Sequence, residues 1–523
     1  MKATSLLASL LLTGSWVSAR VVVNDSLTVH TNTGIYTGLH NPEYPSVREF
    51  RSIPYAQPPV ASRRWLPPAP LPASSEHHNA TTFPPACSQY VYRGPSFFGN
   101  LVNEFLIWNG HENSTAGQMA ENSAEDCLQL AIWTPANATA HSKLPVLVFY
   151  SGGQFRTGGI PVPYQLPAAW VNRTQGHIVV TTNYRLNIMG FPNAAGLTQQ
   201  NLGILDQRAA LEWVHANIAA FGGDADAITL WGQSAGAMSV DYHTYAFWDN
   251  LLARATISQS GTALKTTPSL DTPHSNFTFV AKNLGCDFPA DPAAELDCMR
   301  RVPVSRIQNF IGHYGDARTT PTMTFGPVAD ETVIFADYPA RAAKGYIADT
   351  PAIISNCANE AAPLYPLSLD NVTAGPWQPG VNAVTLRDWL CVSANTSVVR
   401  QRAGLKTYRY EWAGNFSNVS PLPWMGAYHS SDLTMTFGTF GIARGQGTAE
   451  EVATSRVMQD YFFEFIKDPV RGLERKGWAA FDSDAENGGV MKRFGAQGVA
   501  EQDVAGDEVQ GACWGEGNYD PFP

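Results

Sequence analysis

The chain has 523 residues, of which 44% are hydrophobic and only 15% charged, with a formal net charge of −11. Its 14 Trp, 19 Tyr and 25 Phe supply enough large apolar side chains for a sizeable buried core, which excludes intrinsic disorder. The acidic balance excludes a nucleic-acid or anionic-membrane surface, because polyanions are held by clustered Lys and Arg and no basic run occurs.

Residues 1–19 read as a secretory signal peptide. Lys2 gives a positive start, Leu6 to Leu12 is apolar apart from Ser9, and Val17-Ser18-Ala19 puts small residues where signal peptidase cuts before Arg20. That apolar run is too short to span a bilayer, and no other stretch reaches the roughly 18 apolar residues a membrane helix needs. The remainder, residues 20–523, reads as one soluble, extracellular domain, since no repeat, low-complexity tract or Gly/Ser linker divides it. Arg20-Val21-Val22-Val23 and Leu27-Thr28-Val29 to Gly34-Ile35-Tyr36 predict small antiparallel hairpins ahead of the main sheet.

Ten Asn-x-Ser/Thr sequons agree with export: Asn24, Asn79, Asn113, Asn137, Asn172, Asn276, Asn371, Asn395, Asn415 and Asn418. Asn415 and Asn418 are too close for both to carry sugar reliably. Seven cysteines, none in a Cys-x-x-Cys pair, give a zinc or thioredoxin-like site nothing to stand on. In an oxidising compartment they read as three disulfides and one free thiol, with the pairing open.

Five apolar runs follow one another through the middle of the chain: Pro145 to Tyr150, His177 to Thr182, Ala227 to Trp231, Ala255 to Ser258 and Pro351 to Ser355. Near-continuous apolar runs suit strands buried on both faces, as in a parallel sheet covered by helices. Between the second and third, Leu211, Val214 and Ile218 recur at helical spacing, predicting a helix over Leu205 to Ala220 that Gly222-Gly223 stops. The alternation predicts an α/β fold with a mostly parallel central sheet.

Gly232-Gln233-Ser234-Ala235-Gly236 stands directly between the strand ending at Trp231 and helix-compatible residues from Ala235 to Tyr242. A tight strand-to-helix turn needs glycine at its flanks, and it thrusts the central serine into a cleft. Such a serine needs a base, and the base needs an orienting carboxylate. Of twelve histidines only His243, His274, His313 and His429 follow Ser234. His243 falls on the helix leaving the turn and is expected to point away. His429 sits in the loop-like Gly426-Ala427-Tyr428-His429-Ser430-Ser431-Asp432. Sixteen acidic residues lie between Ser234 and His429, so elimination leaves the acid open; Glu360 stands out because it follows the strand ending at Ser355. Developing negative charge on a carbonyl oxygen would be met by backbone N–H groups of the glycine-rich Ser151-Gly152-Gly153-Gln154-Phe155 and of Ala235.

These residues, taken together, resemble the type-B carboxylesterase family of the α/β-hydrolase fold, which also includes cholinesterases and fungal lipases, and within it the secreted fungal carboxylesterases. The resemblance runs from about Gly34 to Trp514. It is carried by Phe221-Gly222-Gly223, Ile228 to Gly236, Glu125-Asp126-Cys127-Leu128-Gln129-Leu130, Phe50 to Ala56, Asn183-Tyr184-Arg185 and Asp206-Gln207. Ala131 stands where the family usually has Asn, Ala361 replaces a glycine after the acid, and Gln154 replaces a third glycine. The resemblance implies Ser234 as nucleophile, His429 as base and Glu360 as its acid, an oxyanion hole from Gly153, Gln154 and Ala235, and no metal or organic cofactor. It further implies disulfides Cys87–Cys127, Cys286–Cys298 and Cys391–Cys513, with Cys357 free. The implied substrate is a small-molecule or lipid ester. Two other readings remain: a lipase acting on longer acyl chains, with the aromatic Cys87 to Cys127 segment (Tyr90, Tyr92, Phe97, Phe98, Phe105, Trp108) as lid or as core, and a non-catalytic binding protein on the same fold. A cholinesterase fits less well, because Gln233 is neutral where those enzymes usually carry Glu. The sequence leaves the oligomeric state open.

Overall fold

The computed structural model describes residues 27–107, 116–265, 269, 271, 273–366 and 369–523. The predicted signal peptide, the Arg20 to Val23 strand, Asn24, Asn113 and Trp108 therefore lie outside the described residues.

The main sheet has eleven strands: β1 (Leu39–His40), β2 (Val47–Pro54), β3 (Gln129–Pro135), β4 (Leu144–Tyr150), β5 (Ile178–Thr182), β6 (Gly223–Gln233), β7 (Ala255–Gln259), β8 (Ala352–Cys357), β9 (Thr407–Trp412), β10 (Val490–Phe494) and β11 (Glu501–Ala505). Their order across the sheet is β11-β10-β9-β8-β7-β6-β4-β5-β3-β2-β1. The seven strands from β5 to β10 run parallel, and the outer pairs are antiparallel. All five apolar runs are strands of this parallel block. The hairpin at the amino end also forms: Thr28–His30 pairs antiparallel with Ile35–Thr37, and His77–Asn79 adds a third, parallel strand.

The apolar runs are continuous because each face of the sheet covers its own core. In β4, Val146, Val148 and Tyr150 enter one cluster while Leu147 and Phe149 enter the other. Ile178 and Val180 against Val179 in β5, and Ile228 and Leu230 against Trp231 in β6, repeat the two-residue alternation. The helices that cover these faces and carry the site are α1 (Leu202–Asn217), α2 (Ala235–Ala246), α3 (Cys391–Arg402), α4 (Asp432–Phe437) and α5 (Ala449–Lys467). α1 begins three residues earlier than the periodicity predicts. Its last turn tightens into a 3-10 turn over Ile218–Phe221, and Gly222 at φ 98° ends it in the left-handed conformation that glycine adopts without strain.

Three of the signature blocks contribute buried or half-buried polar pairs. Arg185 holds Asp206 with two bonds of 2.8 and 2.7 Å from its guanidinium, and Gln207 donates to Ser239 Oγ on α2 at 3.0 Å. Arg64 grips Glu125 at 2.6 Å through each of two nitrogens. A charge taken out of water must keep its partner, so these blocks tolerate little change. The disulfides are Cys87–Cys127, Cys286–Cys298 and Cys391–Cys513, and Cys357 is free and buried.

The segment between Cys87 and Cys127 divides. Tyr90, Phe97, Phe105 and Ile107 are buried, whereas Tyr92 is 41% exposed. Phe97 packs edge-on against Tyr428, at 4.9 Å between ring centroids, so part of the segment is core beside His429. Its outer part walls a cavity of about 560 Å³ with Pro163 and Ile442. No helix of the described residues is long and apolar enough to cross a membrane.

Candidate active site

Strand β6 ends at Gln233, helix α2 starts at Ala235, and Ser234 between them is held at φ 55°, ψ −122°. That is a strained conformation for a residue with a side chain, and it is enforced by packing on both sides. A Cβ on Gly236 would lie 1.9 Å from the Tyr150 carbonyl oxygen at the end of β4, and one on Gly232 would lie 2.2 Å from the Gly236 carbonyl oxygen. Only glycine lets strand, turn and neighbouring strand approach this closely. The predicted turn, helix and glycine requirement are all present.

His429 and Glu360 arrive from two loops at the same edge of the sheet. Glu360 follows β8, and its Oε1 accepts the Cys357 N–H at 2.7 Å, which fixes the carboxylate against its own strand. His429 precedes α4. The two loops join directly, with the Asn359 N–H bonded to the Ala427 carbonyl at 2.9 Å and the Asn359 side chain bonded to the Trp424 and Met425 carbonyls. The result is one hydrogen-bonded chain: Ser234 Oγ to His429 Nε2 at 2.8 Å, then His429 Nδ1 to Glu360 Oε2 at 2.5 Å. Glu360 is fully buried and His429 is 5% exposed, while Ser234 reaches partly to the surface. Of the sixteen candidate acids, Glu360 is therefore the one in contact with His429.

His243 sits on α2 as expected, away from this chain. Its Nδ1 lies 2.8 Å from the Ser239 carbonyl and its ring packs between Tyr150 and Phe247. Burial lowers its pKa to about 4, so it is neutral and its Nδ1–H donates.

The loop after β4 turns sharply beside Ser234. Gly153 has φ 111°, and a Cβ there would lie 2.2 Å from the Thr157 carbonyl. Gln154 and Phe155 both have φ 58°, and Gln154 is exposed. The Gly153 carbonyl accepts from the Arg156 and Thr157 amides at 2.9 and 3.1 Å, closing the turn. Among the described residues the N–H groups of Gly153, Gln154 and Ala235 donate to no protein acceptor, which leaves three backbone donors free.

Four further side chains stand near this hydrogen-bonded chain, of which the sequence singled out Gln233 but not Asp432, Trp389 or Lys265. Gln233 Nε2 lies 3.3 Å from His429 Nε2. Asp432, three residues past His429, is buried, accepts from Gln259 Nε2 at 2.8 Å and Tyr410 OH at 2.9 Å, and is pushed up to about 6 by burial and then by the Glu360 charge. Trp389 lies 5.4 Å from the His429 ring, and Lys265 Nζ stands 3.5 Å over the Trp389 ring. Burial lowers Lys265 to about 8, with Asp388 and Glu360 pulling the other way. The one signal that could have found Asp432 is its spacing of three residues from His429; Trp389 and Lys265 come from distant parts of the chain and left no local signal. Among the described residues no cluster of three His, Cys, Asp or Glu side chains could hold a metal ion.

Of the two close sequons, Asn415 is exposed, whereas Asn418 is buried and its Nδ2 donates to the Phe440 carbonyl at 3.0 Å.

Known proteins place this geometry in context. The chain matches the Carboxylesterase family over residues 25–377 and 381–504. It is 36% identical over 515 residues to secreted lipase 5 of Gibberella zeae, covering 93% of this chain and 94% of that protein. It is 37% identical over 497 residues to chlorogenic acid esterase of Aspergillus niger, covering 90% and 93% respectively. The chain belongs to the carboxylesterase family, carboxylic ester hydrolases built on the α/β-hydrolase fold.

Proposed function

We propose that this chain is a secreted serine esterase that hydrolyses carboxylic esters through an acyl-enzyme on Ser234. His429 Nε2 takes the Ser234 proton as Oγ attacks the ester carbonyl carbon. Glu360 fixes the imidazole tautomer and stabilises the imidazolium that forms. The carbonyl π pair moves onto oxygen, where the N–H groups of Gly153, Gln154 and Ala235 receive it; losing one such donor costs roughly 100- to 1000-fold in other enzymes. Collapse of that intermediate breaks the carbonyl–alkoxy bond, and the imidazolium returns its proton to the leaving alcohol. Water, deprotonated by the same His429, then releases the acid and restores Ser234. The single observation that carries this reading is the Ser234–His429–Glu360 hydrogen-bonded chain facing three unpaired backbone donors.

Export is supported by the sequence of residues 1–19, by three disulfides, and by the exposure of the sequons at Asn79, Asn137, Asn371, Asn395 and Asn415. Residues 20–523 act as one catalytic domain without a cofactor. A second reading, a lipase on long acyl chains, rests on the aromatic Cys87–Cys127 segment, whose residues wall a cavity of about 560 Å³ that includes none of the Ser234, His429 and Glu360 side chains. A p-nitrophenyl ester series from acetate to palmitate separates the two. Ser234→Ala should remove activity on every member by at least about 10⁴-fold. An optimum at short chains selects the carboxylesterase, whereas an optimum at long chains with activation at an oil–water interface selects the lipase. A variant as active as wild type contradicts the serine mechanism.

A further inference from the structure

The turn carrying Glu360 is bracketed from behind by residues far along the chain. Tyr519 Oη donates to the Ala358 carbonyl, and among the described residues no backbone N–H donates to that carbonyl. The same phenol lies beside the Thr385 hydroxyl, whose Oγ1 accepts the Ala361 N–H at 3.1 Å. The residues two before and one after Glu360 are therefore held by two neighbouring hydroxyls. Three residues on, the Phe522 ring rests against Gly426 in the His429 loop: a Cβ on Gly426, at φ 54°, would lie 2.8 Å from Phe522 Cε1. The Phe522 N–H is bonded to Asp520 Oδ1 at 2.9 Å, and Phe522 as a whole is 45% exposed. The segment is anchored where it begins. Cys513 is bonded to Cys391 at the start of α3, and Tyr519 packs with Cys513 against Leu390, Met491, Val504 and Val509.

From this geometry we propose that residues 516–523 form a strap that sets the Glu360 turn and the His429 loop in register, with Tyr519 as its positioning residue. The proposal rests on the serine mechanism above. Tyr519 touches neither substrate nor the reacting atoms, so its effect must pass through Glu360. A carboxylate that drifts from His429 Nδ1 weakens transition-state stabilisation without altering ester binding, because the ester does not contact it. The phenol suits the task, since burial keeps it protonated and it can only donate to the carbonyl it meets.

The test compares wild type, Tyr519→Phe, a deletion of residues 516–523, Thr385→Val and the Tyr519→Phe/Thr385→Val pair. Steady-state hydrolysis of one p-nitrophenyl ester is measured well below each melting temperature, alongside hydrogen exchange of the peptide containing residues 358–365. Tyr519→Phe keeps the ring and removes the hydroxyl. It should lower kcat about tenfold with KM unchanged within about twofold, as expected when a positioning contact worth about one hydrogen bond is lost. Exchange at the turn should accelerate by a similar factor, and the pair should lose less than the product of the single losses, because both hydroxyls hold one turn. The deletion should reproduce the kcat loss; if it does not fold, Tyr519→Phe alone decides. Unchanged kcat in Tyr519→Phe overturns the proposal, whether or not exchange accelerates. So does a loss confined to KM or to the folded fraction. A wild type inactive on every ester indicts the serine mechanism instead, and exchange still decides the strap: acceleration supports it, and no change overturns it.

Discussion

Ser234 is held at φ 55° by neighbours that leave it no other conformation, so its Oγ already points at His429 before any ester arrives. The same preorganisation applies to Glu360, whose second oxygen is fixed by the Cys357 amide. Replacing Glu360 by Gln keeps the shape but offers His429 Nδ1 a donor or a neutral acceptor, which upsets the tautomer that Nε2 needs in order to act as a base. We expect kcat to fall about 10⁴-fold with KM little changed, measured on a single soluble ester; a loss below about tenfold would assign Glu360 a structural role only. At this scale the sequence was informative where chemistry repeats locally. Ser234 announces itself through its two glycines, and His429 through chain order. Apart from the family resemblance, Glu360 could be preferred only because it follows a strand, and the contact that singles it out among sixteen acids exists only in three dimensions. Asp432 was overlooked because a carboxylate beside a histidine in one-dimensional order has many bland explanations.

The elements were legible wherever burial is two-sided. Each of the five apolar runs is a strand, and β4, β5 and β6 send alternate residues into separate cores. Boundaries were less legible: β6 extends from Gly223 to Gln233, well beyond the apolar run from Ala227 to Trp231, because ladder bonds to β4 and β7 continue where the apolar pattern stops. The outer antiparallel strands and the 3-10 turns left no periodic signal of their own. The β6–α2 turn carries the sharpest prediction of this scale. Gly236→Ala would drive a methyl into the Tyr150 carbonyl and separate β4 from the turn. It should destabilise the protein by about 1–3 kcal/mol, seen as a lower melting temperature. Activity should fall further than folded fraction does, because the same shift moves Ser234 away from the Gly153 and Gln154 amides. Retention of both stability and activity would show that the turn has slack.

For the whole molecule, buried neutral histidines set an acid limit. Burial lowers His243 to about 4 and His177 to about 3. Unfolding restores an ordinary imidazole titrating near 6.5. Below pH 6.5 the unfolded chain therefore binds protons that the folded chain refuses. The stability contributed by His243 is complete above pH 6.5 and is lost as pH falls toward 4, by up to about 3 kcal/mol. His243→Phe, which keeps a ring between Tyr150 and Phe247, should melt at a temperature that falls less than that of wild type between pH 7.5 and pH 5. Parallel curves would mean that His243 does not limit acid stability. The global organisation was read correctly as an α/β sheet enzyme, since strand and helix signals alternate and the family blocks recur along nearly the whole chain. The clamp on the Glu360 turn was invisible, because Tyr519 and Ala358 are separated by 161 residues and neither belongs to a motif.

The central claim, that Ser234 attacks the ester carbonyl with His429 as its base, is tested most directly by titrating the enzyme with a p-nitrophenyl dialkyl phosphate and mapping the adduct by peptide mass spectrometry. The account predicts loss of esterase activity in step with release of one equivalent of p-nitrophenolate and a dialkylphosphoryl group on the peptide carrying Ser234. Complete inactivation with the adduct on another residue, or full activity with Ser234 modified, would contradict it.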